Sequence, residues 1–204
     1  MPFDQDHRYS AGKIANENWC GSTRAVSYWT HPTRGPGCLG ITNRHVATGK
    51  IGDMMRASFV FPNGQDHTFD AVNLINAYSS QKAIDWALIF IEGLTAESGI
   101  KPVKMLKTRP ESTEYQLTGS PRCVFPPITY QCKKQDVIHD HVYRYLPISV
   151  GGSSGSGLID ELGRMVILNA WSWGQYGAGM ATSAIWGQME RGAAGWETSL
   201  ALAP

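Results

Sequence analysis

Glycine and proline limit what this chain of 204 residues can fold into. The sequence has 22 glycines and 11 prolines, about one residue in six, which leaves little room for long helices. Short strands joined by turns tolerate this punctuation. Hydrophobic residues make up 42% and charged residues 17% of the chain, which is typical of a globular protein. We therefore predict an all-β fold, a sandwich or barrels, of about ten to thirteen short strands.

The charge balance excludes several classes of partner. The formal net charge is +1, so neither nucleic acid nor a membrane surface is an expected partner. The longest strongly apolar run, WALIFI at 86–91, is far shorter than the ~20 residues of a membrane span. The first ten residues, MPFDQDHRYS, contain no apolar stretch of the signal-peptide type. We expect a cytoplasmic location; a secreted or periplasmic one is less favoured.

The four cysteines do not form a recognisable metal motif. Cys20, Cys38, Cys123 and Cys132 include no C-x-x-C pair, so we expect no zinc site. Cys123 and Cys132 flank a turn at the prolines 126–127 and would face each other across a hairpin. The sequence leaves two alternatives for them, a disulfide or two small buried thiols. Four cysteines without a secretory signal fit a cytosolic protein slightly better than a secreted one.

The strand pattern divides the chain into two halves. Residues 1–22 read as a loose lead-in, 23–93 and 113–190 as strand-rich halves, 94–112 as a polar connection, and 191–204 as a tail. A PNG turn predicts a hairpin that joins 57–61 to 67–77. DWALIFIEG at 85–93 predicts a buried strand, and 179–189 predicts a strand that leads into a short helix.

A glycine-serine cluster, GGSSGSG at 151–157, is the strongest chemical signal. An apolar strand follows it directly, so we interpret it as a tight turn rather than a flexible linker. Such a turn can aim two backbone N–H groups at one point, as an oxyanion hole requires. GGSSG also fits the nucleophile elbow G-x-S-x-G, which would centre on Ser153.

The order of residues along the chain decides between these readings. All six histidines, at positions 7, 31, 45, 67, 139 and 141, precede the serine cluster. The Ser-acid-His order of α/β-hydrolases is therefore excluded. The Asp-His-Ser order has only Asp4 and Asp6 before His45, and both lie in the polar lead-in. The order His-Asp-Ser remains, with candidates His45, Asp85 and Ser154 at strand-loop junctions.

These same segments resemble the signatures of trypsin-like serine proteases of the chymotrypsin fold. ITNRHV, around His45, resembles T-[AN]-x-H-[CV]; DWALI, which begins at Asp85, resembles D-[IL]-A-L; and GSSGSG resembles G-[DN]-S-G-[GS]-P. GLIDELGRMVILNA then follows the bacterial HtrA-like pattern G-P-L-V-x-x-x-G-x-V-x-G-I-N-T without a gap. The resemblance spans about residues 23–185 and leaves no room for a PDZ domain after residue 190. The chain is closest in pattern to an HtrA-like protease domain without a PDZ domain.

The resemblance implies two six-stranded antiparallel β-barrels with the active site between them. It implies a serine endopeptidase, a processing enzyme of bacterial, phage or viral origin that cleaves protein or peptide substrates and uses no cofactor or metal. His45 would be the base, Asp85 would orient it, and Ser154 would be the nucleophile. The N–H groups of Gly152 and Ser154 would form the oxyanion hole. The alternative is a pseudoprotease, in which the same fold serves as a binding or scaffold module.

Several positions depart from the family pattern. Ala170 stands where a serine or threonine often hydrogen-bonds the triad aspartate, so that donor is missing or replaced by a backbone group. The primary pocket would be framed by Ile148, by Ala170, Trp171 and Ser172, and by Gly179. Ile148 stands where enzymes that cleave after lysine or arginine carry an aspartate. We therefore expect an uncharged, apolar residue before the scissile bond, because a buried cation would have no partner.

Overall fold

The computed structural model describes residues 3–47, 50–192 and 202–203, and these form a mainly β structure. Its strands are β1 (Ala11–Ala15), β2 (Cys20–His31), β3 (Gly35–Thr42), β4 (Met54–Val60), β5 (Asp66–Ser79), β6 (Ile84–Glu92), β7 (Met105–Leu106), β8 (Glu114–Gly119), β9 (Ile128–Ile138), β10 (Val142–Leu146), β11 (Gly157–Ile159), β12 (Met165–Trp173), β13 (Tyr176–Ala181) and β14 (Leu202–Ala203). The helices are α1 (Arg44–Ala47) and α2 (Thr182–Gly192), with 3₁₀ turns at Gln5–Ser10, Ala96–Ser98 and Pro121–Cys123. The prediction of a short C-terminal helix is confirmed.

The first half forms a closed barrel with the strand order β1-β2-β3-β6-β5-β4. The predicted PNG hairpin is present as β4 and β5, which pair in antiparallel register from Val60 opposite Asp66. Gly64 takes the left-handed conformation that this turn needs, with a φ of +85°. Closure removes the free strand edges that would otherwise invite aggregation.

The second half forms an eight-stranded sheet with the order β11-β8-β9-β10-β13-β12-β7-β14. An additional pairing between β11 and β12 links its six antiparallel strands into a ring. The strands β7 and β14 are attached in parallel beside β12. The all-β prediction with two antiparallel halves is therefore confirmed.

Strand β6 explains why the run WALIFI is apolar without interruption. Its side chains alternate between two faces, as in any strand. Ala87, Ile89 and Ile91 point into the first barrel and belong to its interior cluster. Trp86, Leu88 and Phe90 belong to a second cluster, which includes Met165, Leu168 and Met180 of the second sheet. Strand β6 is thus buried on both faces, and its outer face joins the two halves.

The predicted lead-in, 1–22, contains more structure than the sequence indicated. Within it the structure places β1, which pairs with both β2 and β4 and is needed to close the first barrel. Ile14 of β1 is fully buried. The strand was missed because AGKIA has five residues and offers one large apolar side chain, too little for a periodic pattern. The boundary of the first half therefore moves from residue 23 to about the start of β1.

The cysteine pairing differs from the alternatives drawn from the sequence. A disulfide joins Cys20 to Cys123, with Cα atoms 5.8 Å apart, which lies in the usual range. Cys132 is a free, buried thiol in β9. Its strand pairs with β8, where Cys132 lies opposite Tyr115, and not with the segment that carries Cys123. Burial raises the pKa of the Cys132 and Cys38 thiols to about 12, so both stay protonated.

The described residues contain no helix long and apolar enough to cross a membrane. They also contain no group of three or more histidine, cysteine, aspartate or glutamate side chains placed to hold a metal ion.

Truncation of a buried leucine should cost far more stability than truncation of an exposed one. Leu88 is fully buried between the two halves, whereas Leu162 is 62% exposed. We expect Leu88→Ala to lower the free energy of unfolding by about 2–5 kcal/mol. The matched control Leu162→Ala should change it by less than about 0.5 kcal/mol. Urea denaturation monitored by fluorescence measures both, and equal losses would contradict the assignment of the Leu88 cluster.

Loss of the disulfide should destabilise the fold. The bridge closes a segment with a sequence separation of 103, so either Cys20→Ser or Cys123→Ser should cost about 2–5 kcal/mol. The double variant should lose no more than either single variant, because all three remove the same bond. Additive losses in thermal or urea unfolding would show that the two cysteines are not paired.

Candidate active site

Asp85 and His45 form a close pair on the first barrel. Asp85 begins the apolar part of β6, and its side chain is 1% exposed. One carboxylate oxygen, Oδ2, lies 2.5 Å from Nδ1 of His45, and the other, Oδ1, accepts the backbone N–H of His45 at 3.1 Å. Both oxygens of this buried carboxylate are therefore bonded. The imidazole is 42% exposed, which leaves part of the ring open to a substrate.

The sequence around His45 folds locally into one helical turn, α1, rather than the loop that we expected. The N–H groups of Val46 and Ala47 both donate to the carbonyl of Asn43, and Nδ2 of Asn43 donates to the carbonyl of Asp85 at 2.8 Å. Asn43 thereby ties this turn to β6. The N–H of Asp85 donates to Sδ of Met180, at 3.3 Å, in the second sheet.

The serine cluster forms two consecutive tight turns. The N–H of Ser153 donates to Val150, and the N–H of Ser156 donates to Ser153. Gly152 and Gly155 have φ values of +88° and +87°, in the region that favours glycine. A Cβ on Gly155 would lie 2.0 Å from the carbonyl oxygen of Ser22, so no side chain fits there. The interpretation of GGSSGSG as a tight turn agrees with these bonds and φ angles.

Strand β2 of the first barrel holds this turn in place. Ser22 donates its N–H to the carbonyl of Ser154 at 2.7 Å and its hydroxyl to the carbonyl of Gly152 at 2.9 Å. Two residues further along the same face of β2, Nη2 of the buried Arg24 donates to the carbonyl of Gly157 at 2.8 Å. Barrel and serine turn are therefore joined by polar bonds on both sides of Ser154.

The turn that carries His45 lies beside the serine turn. A Cβ on Gly21 would be 2.6 Å from Cγ1 of Val46 and 3.0 Å from the carbonyl oxygen of Ser154, so both segments pack against this glycine. The hydroxyl of Ser154 donates to the carbonyl of Ala170 at 3.4 Å. Among the described residues, no hydrogen bond joins this hydroxyl to His45. Catalytic hydrogen bonds often tighten only when substrate is bound.

Two backbone donors in the serine turn remain available. Within the described part of the chain, neither the N–H of Gly152 nor that of Ser154 donates a hydrogen bond. The residue between them, Ser153, is turned the other way, because its N–H donates to Val150 at 3.0 Å. Unpaired N–H groups at alternate positions of a turn form a binding place for an anionic oxygen.

The residues predicted for the substrate pocket differ in their burial and in their contacts. Trp171 and Ser172 line an open cavity of about 230 Å³ together with the segment that precedes Asp85; the other lining residues are Tyr78, Ser79, Ser80, Ala83, Ile84 and Trp173. Ile148 is 42% exposed and Ala170 is 5% exposed. A Cβ on Gly179 would lie 2.2 Å from the carbonyl oxygen of Leu168, so close packing of β12 and β13 requires glycine there.

Other features lie outside this arrangement. A larger cavity, of about 680 Å³, is lined by residues such as Phe3 and Glu114, away from His45 and Ser154. His141 has Nε2 at 2.9 Å from the carbonyl of Lys82 and 3.2 Å from that of Ala83. A ring nitrogen between two carbonyls must donate, so His141 fastens this loop of the first barrel to the second sheet.

Sequence reasoning missed three polar residues that hold the site, namely Ser22, Asn43 and Asn169. Each lies within or at the end of a strand and is fully buried. A buried asparagine or serine in an apolar strand indicates a specific hydrogen-bond partner, and that signal was present in RMVILNAW. The partner itself is distant in sequence, so its identity was not readable.

No protein-family model matches the chain, and no curated protein matches it. Solved structures do. An inactive mutant form of Rv3671c from M. tuberculosis has a TM-score of 0.68 at 17% identity and covers 93% of this chain and 89% of its own. A scabies mite inactivated protease paralogue has a TM-score of 0.70 at 11% identity and covers 92% of this chain and 93% of its own. A serine endoprotease from Yersinia pestis has a TM-score of 0.64 at 17% identity and covers 94% of this chain and 67% of its own. The chain therefore has the fold of the trypsin-like serine proteases.

Substitution of Gly155 tests the close approach between the serine turn and β2. Gly155→Ala must adopt a φ near +87° and also meets Ser22. Gly35 has a similar φ of +81° with nothing within 4 Å of its Cβ position, so Gly35→Ala carries only the backbone cost, about 1–2 kcal/mol. We expect Gly155→Ala to lose clearly more free energy of unfolding than Gly35→Ala. Similar losses for the two variants in urea denaturation would contradict the tight contact.

Proposed function

We propose that the protein is a serine endopeptidase that cleaves peptide bonds through an acyl-enzyme. The observation that carries this proposal is the pairing of a buried carboxylate, Asp85, with a half-exposed imidazole, His45, beside a rigid turn that contains Ser154. Serine hydrolases of this type need these three groups, and the chain presents them in the order His, Asp, Ser. The proteases that share its fold support the same class of activity.

The first half of the reaction follows from the roles of these groups. His45 removes the proton from the Ser154 hydroxyl as Oγ attacks the carbonyl carbon of the scissile bond. The resulting tetrahedral intermediate carries a negative oxygen, which the N–H groups of Gly152 and Ser154 are free to bind. The C–N bond then breaks, and the imidazolium gives its proton to the leaving amine. An ester now joins Ser154 to the acyl part of the substrate.

The second half reverses these roles with water. His45 removes a proton from a water molecule, which attacks the ester carbon. The bond to Oγ breaks, and the proton returns to Ser154. The Asp85 carboxylate stabilises the imidazolium, while its bond to the N–H of His45 fixes the orientation of the turn. Ala170 left two alternatives for the hydrogen-bond donor to Asp85, which is either missing or replaced by a backbone group. The N–H of His45 is a backbone donor, so this bond supports the replacement.

For substrate preference, we propose an uncharged, apolar residue before the scissile bond. The carrying residue is Ile148, which stands in the segment leading to the serine turn and exposes 42% of its surface. The exposed rings of Tyr78 and Trp173, with Trp171 between the barrels, add apolar surface along the cavity beside β12. These rings would contact the part of the peptide that precedes the cleavage site.

The alternative is a pseudoprotease, a binding or scaffold module with the same fold. One observation favours it: the Ser154 hydroxyl bonds to the Ala170 carbonyl and not to His45. A rotation about χ1 would redirect this hydroxyl, so the bond does not prevent catalysis. One of the structures with the same fold is itself described as an inactivated protease paralogue.

The processing role, the bacterial, phage or viral origin and the cytoplasmic location remain predictions from the sequence. The Cys20–Cys123 disulfide supports an oxidising compartment instead of the cytoplasm, because such bonds persist where thiols are not kept reduced.

Covalent labelling of Ser154 tests the proposed function. A fluorophosphonate should label the folded wild-type protein, Ser154→Ala should take no label, and Ser153→Ala should still be labelled. The nucleophile needs His45 as its base, so His45→Ala should also lower labelling by about 10³-fold or more. Absence of labelling in folded wild-type protein would support the pseudoprotease. Retention of the label in Ser154→Ala would assign the reaction to another residue.

A digest of a peptide library, analysed by mass spectrometry, tests the substrate preference. Cleavage should occur mainly after uncharged, apolar residues, because Ile148 stands where enzymes that cleave after lysine or arginine carry the aspartate that pairs with the cation. Ser154→Ala serves as the control for contaminating proteases. Cleavage mainly after lysine or arginine would contradict the pocket proposal and leave the serine mechanism standing.

A further inference from the structure

The two free N–H groups of the serine turn belong to two peptide groups whose carbonyls are both held. A peptide group is planar, with its C=O and N–H pointing in opposite directions. The N–H of Gly152 shares a peptide with the carbonyl of Gly151, and the N–H of Ser154 shares one with the carbonyl of Ser153. Fixing either oxygen therefore fixes the direction of the N–H on the other side.

The two carbonyls are held in different ways. The carbonyl of Gly151 accepts the backbone N–H of Arg122 at 2.6 Å, a bond that no side-chain substitution removes directly. The carbonyl of Ser153 accepts Nδ2 of Asn169 at 2.7 Å and the N–H of Ser156 at 3.0 Å. Among the described residues, Asn169 is the one side chain that bonds to either carbonyl.

Asn169 is itself fixed in a single orientation. A carbonyl oxygen can only accept, so Nδ2 must face Ser153. The second hydrogen on Nδ2 is donated to Oγ of Ser149 at 2.9 Å, and Oδ1 accepts the hydroxyl of Tyr145. Burial raises the pKa of Tyr145 well above its usual value, so this hydroxyl keeps its proton and donates. Both hydrogens of the Asn169 side-chain amide are therefore used.

The backbone of Asn169 fastens it to the same turn. Its carbonyl accepts the N–H of Gly155 at 2.9 Å, and its N–H donates to Ser156 at 2.8 Å. Asn169 is fully buried in β12, so it does not reach a substrate and does not select one.

We propose that Asn169 is a positioning residue for catalysis, which aims the N–H of Ser154 at the oxyanion by holding the carbonyl of Ser153. This inference rests on the proposed function. As the substrate carbonyl becomes tetrahedral, its oxygen gains negative charge and needs an N–H in a fixed direction. A hydrogen bond to the carbonyl also polarises the N–H of the same peptide. The effect is greatest in the transition state, so Asn169 acts on kcat and not on the binding of the substrate ground state.

The test compares Asn169→Ala and Asn169→Leu with wild-type protein. Asn169→Leu keeps a branched side chain but has no group that can donate a hydrogen bond. With a peptide selected by the library digest, both variants should lower kcat about 10- to 100-fold and leave KM within about twofold. A peptide aldehyde of the same sequence forms a tetrahedral adduct with Ser154. Its inhibition constant should rise by the same factor as kcat/KM falls.

The matched control is Thr182→Val. The hydroxyl of Thr182 is buried in the second half and donates to the carbonyls of Leu106 and Met165, away from the serine turn. This variant should lower the melting temperature and leave kcat and the inhibition constant unchanged. Circular dichroism establishes for each variant a temperature at which it is folded, and all kinetics are measured there. If Asn169→Ala does not fold, Asn169→Leu carries the comparison.

The outcomes separate this inference from the proposed function. If wild-type protein neither cleaves peptides nor takes the fluorophosphonate, the serine mechanism fails and the inference fails with it. If wild-type protein is active and a folded Asn169 variant keeps kcat within about twofold, the inference alone is overturned. A rise in KM with kcat unchanged would also overturn it, because Asn169 would then act on substrate binding.

Discussion

The site depends on the packing of β6 against the second sheet. One face of this strand fills the first barrel, and the other contributes Trp86, Leu88 and Phe90 to the cluster shared with β12 and β13. Asp85 stands at the start of the same strand, so the contact that joins the halves also fixes the carboxylate of the site. Apolar burial holds the two halves together but does not by itself fix their orientation. Individual polar bonds, such as that between Asp85 and Met180, fix the orientation.

Hydrogen bonds, rather than apolar contacts, organise the serine turn. Ser153 and Ser156 are fully buried, although a glycine-serine segment offers no large side chain to pack. Its carbonyls are bonded by Ser22, Arg122 and Asn169, each from a different strand or turn. A turn held in this way resists reorientation, because each broken bond would leave a polar group without water or a partner. The shape of the turn therefore depends on hydrogen bonds to its backbone carbonyls rather than on packing volume.

Local sequence patterns predicted the parts of the fold that local chemistry determines. The PNG hairpin, the doubly buried β6 and the helix after β13 each have a signal within a few residues. The candidate site residues His45, Asp85 and Ser154 came from their order along the chain and from signatures around them. Strand β1 was missed because its stability comes from pairing with β2 and β4 and not from its own residues. The Cys20–Cys123 bridge and the roles of Ser22 and Asn169 depend on contacts between distant segments, which spacing does not encode.

The hydrogen bonds of Ser22 bear on the order in which the site forms during protein synthesis. Its N–H, hydroxyl and carbonyl are all engaged, the carbonyl by the Thr42 hydroxyl, and its hydroxyl both donates to Gly152 and accepts the N–H of Ser120. Three of these bonds reach residues made late in synthesis. A ribosome that has produced only the first barrel has made His45 and Asp85 but none of these three later partners of Ser22, and hence no shaped serine turn. The serine turn therefore takes its final shape only after the second half has folded against Ser22.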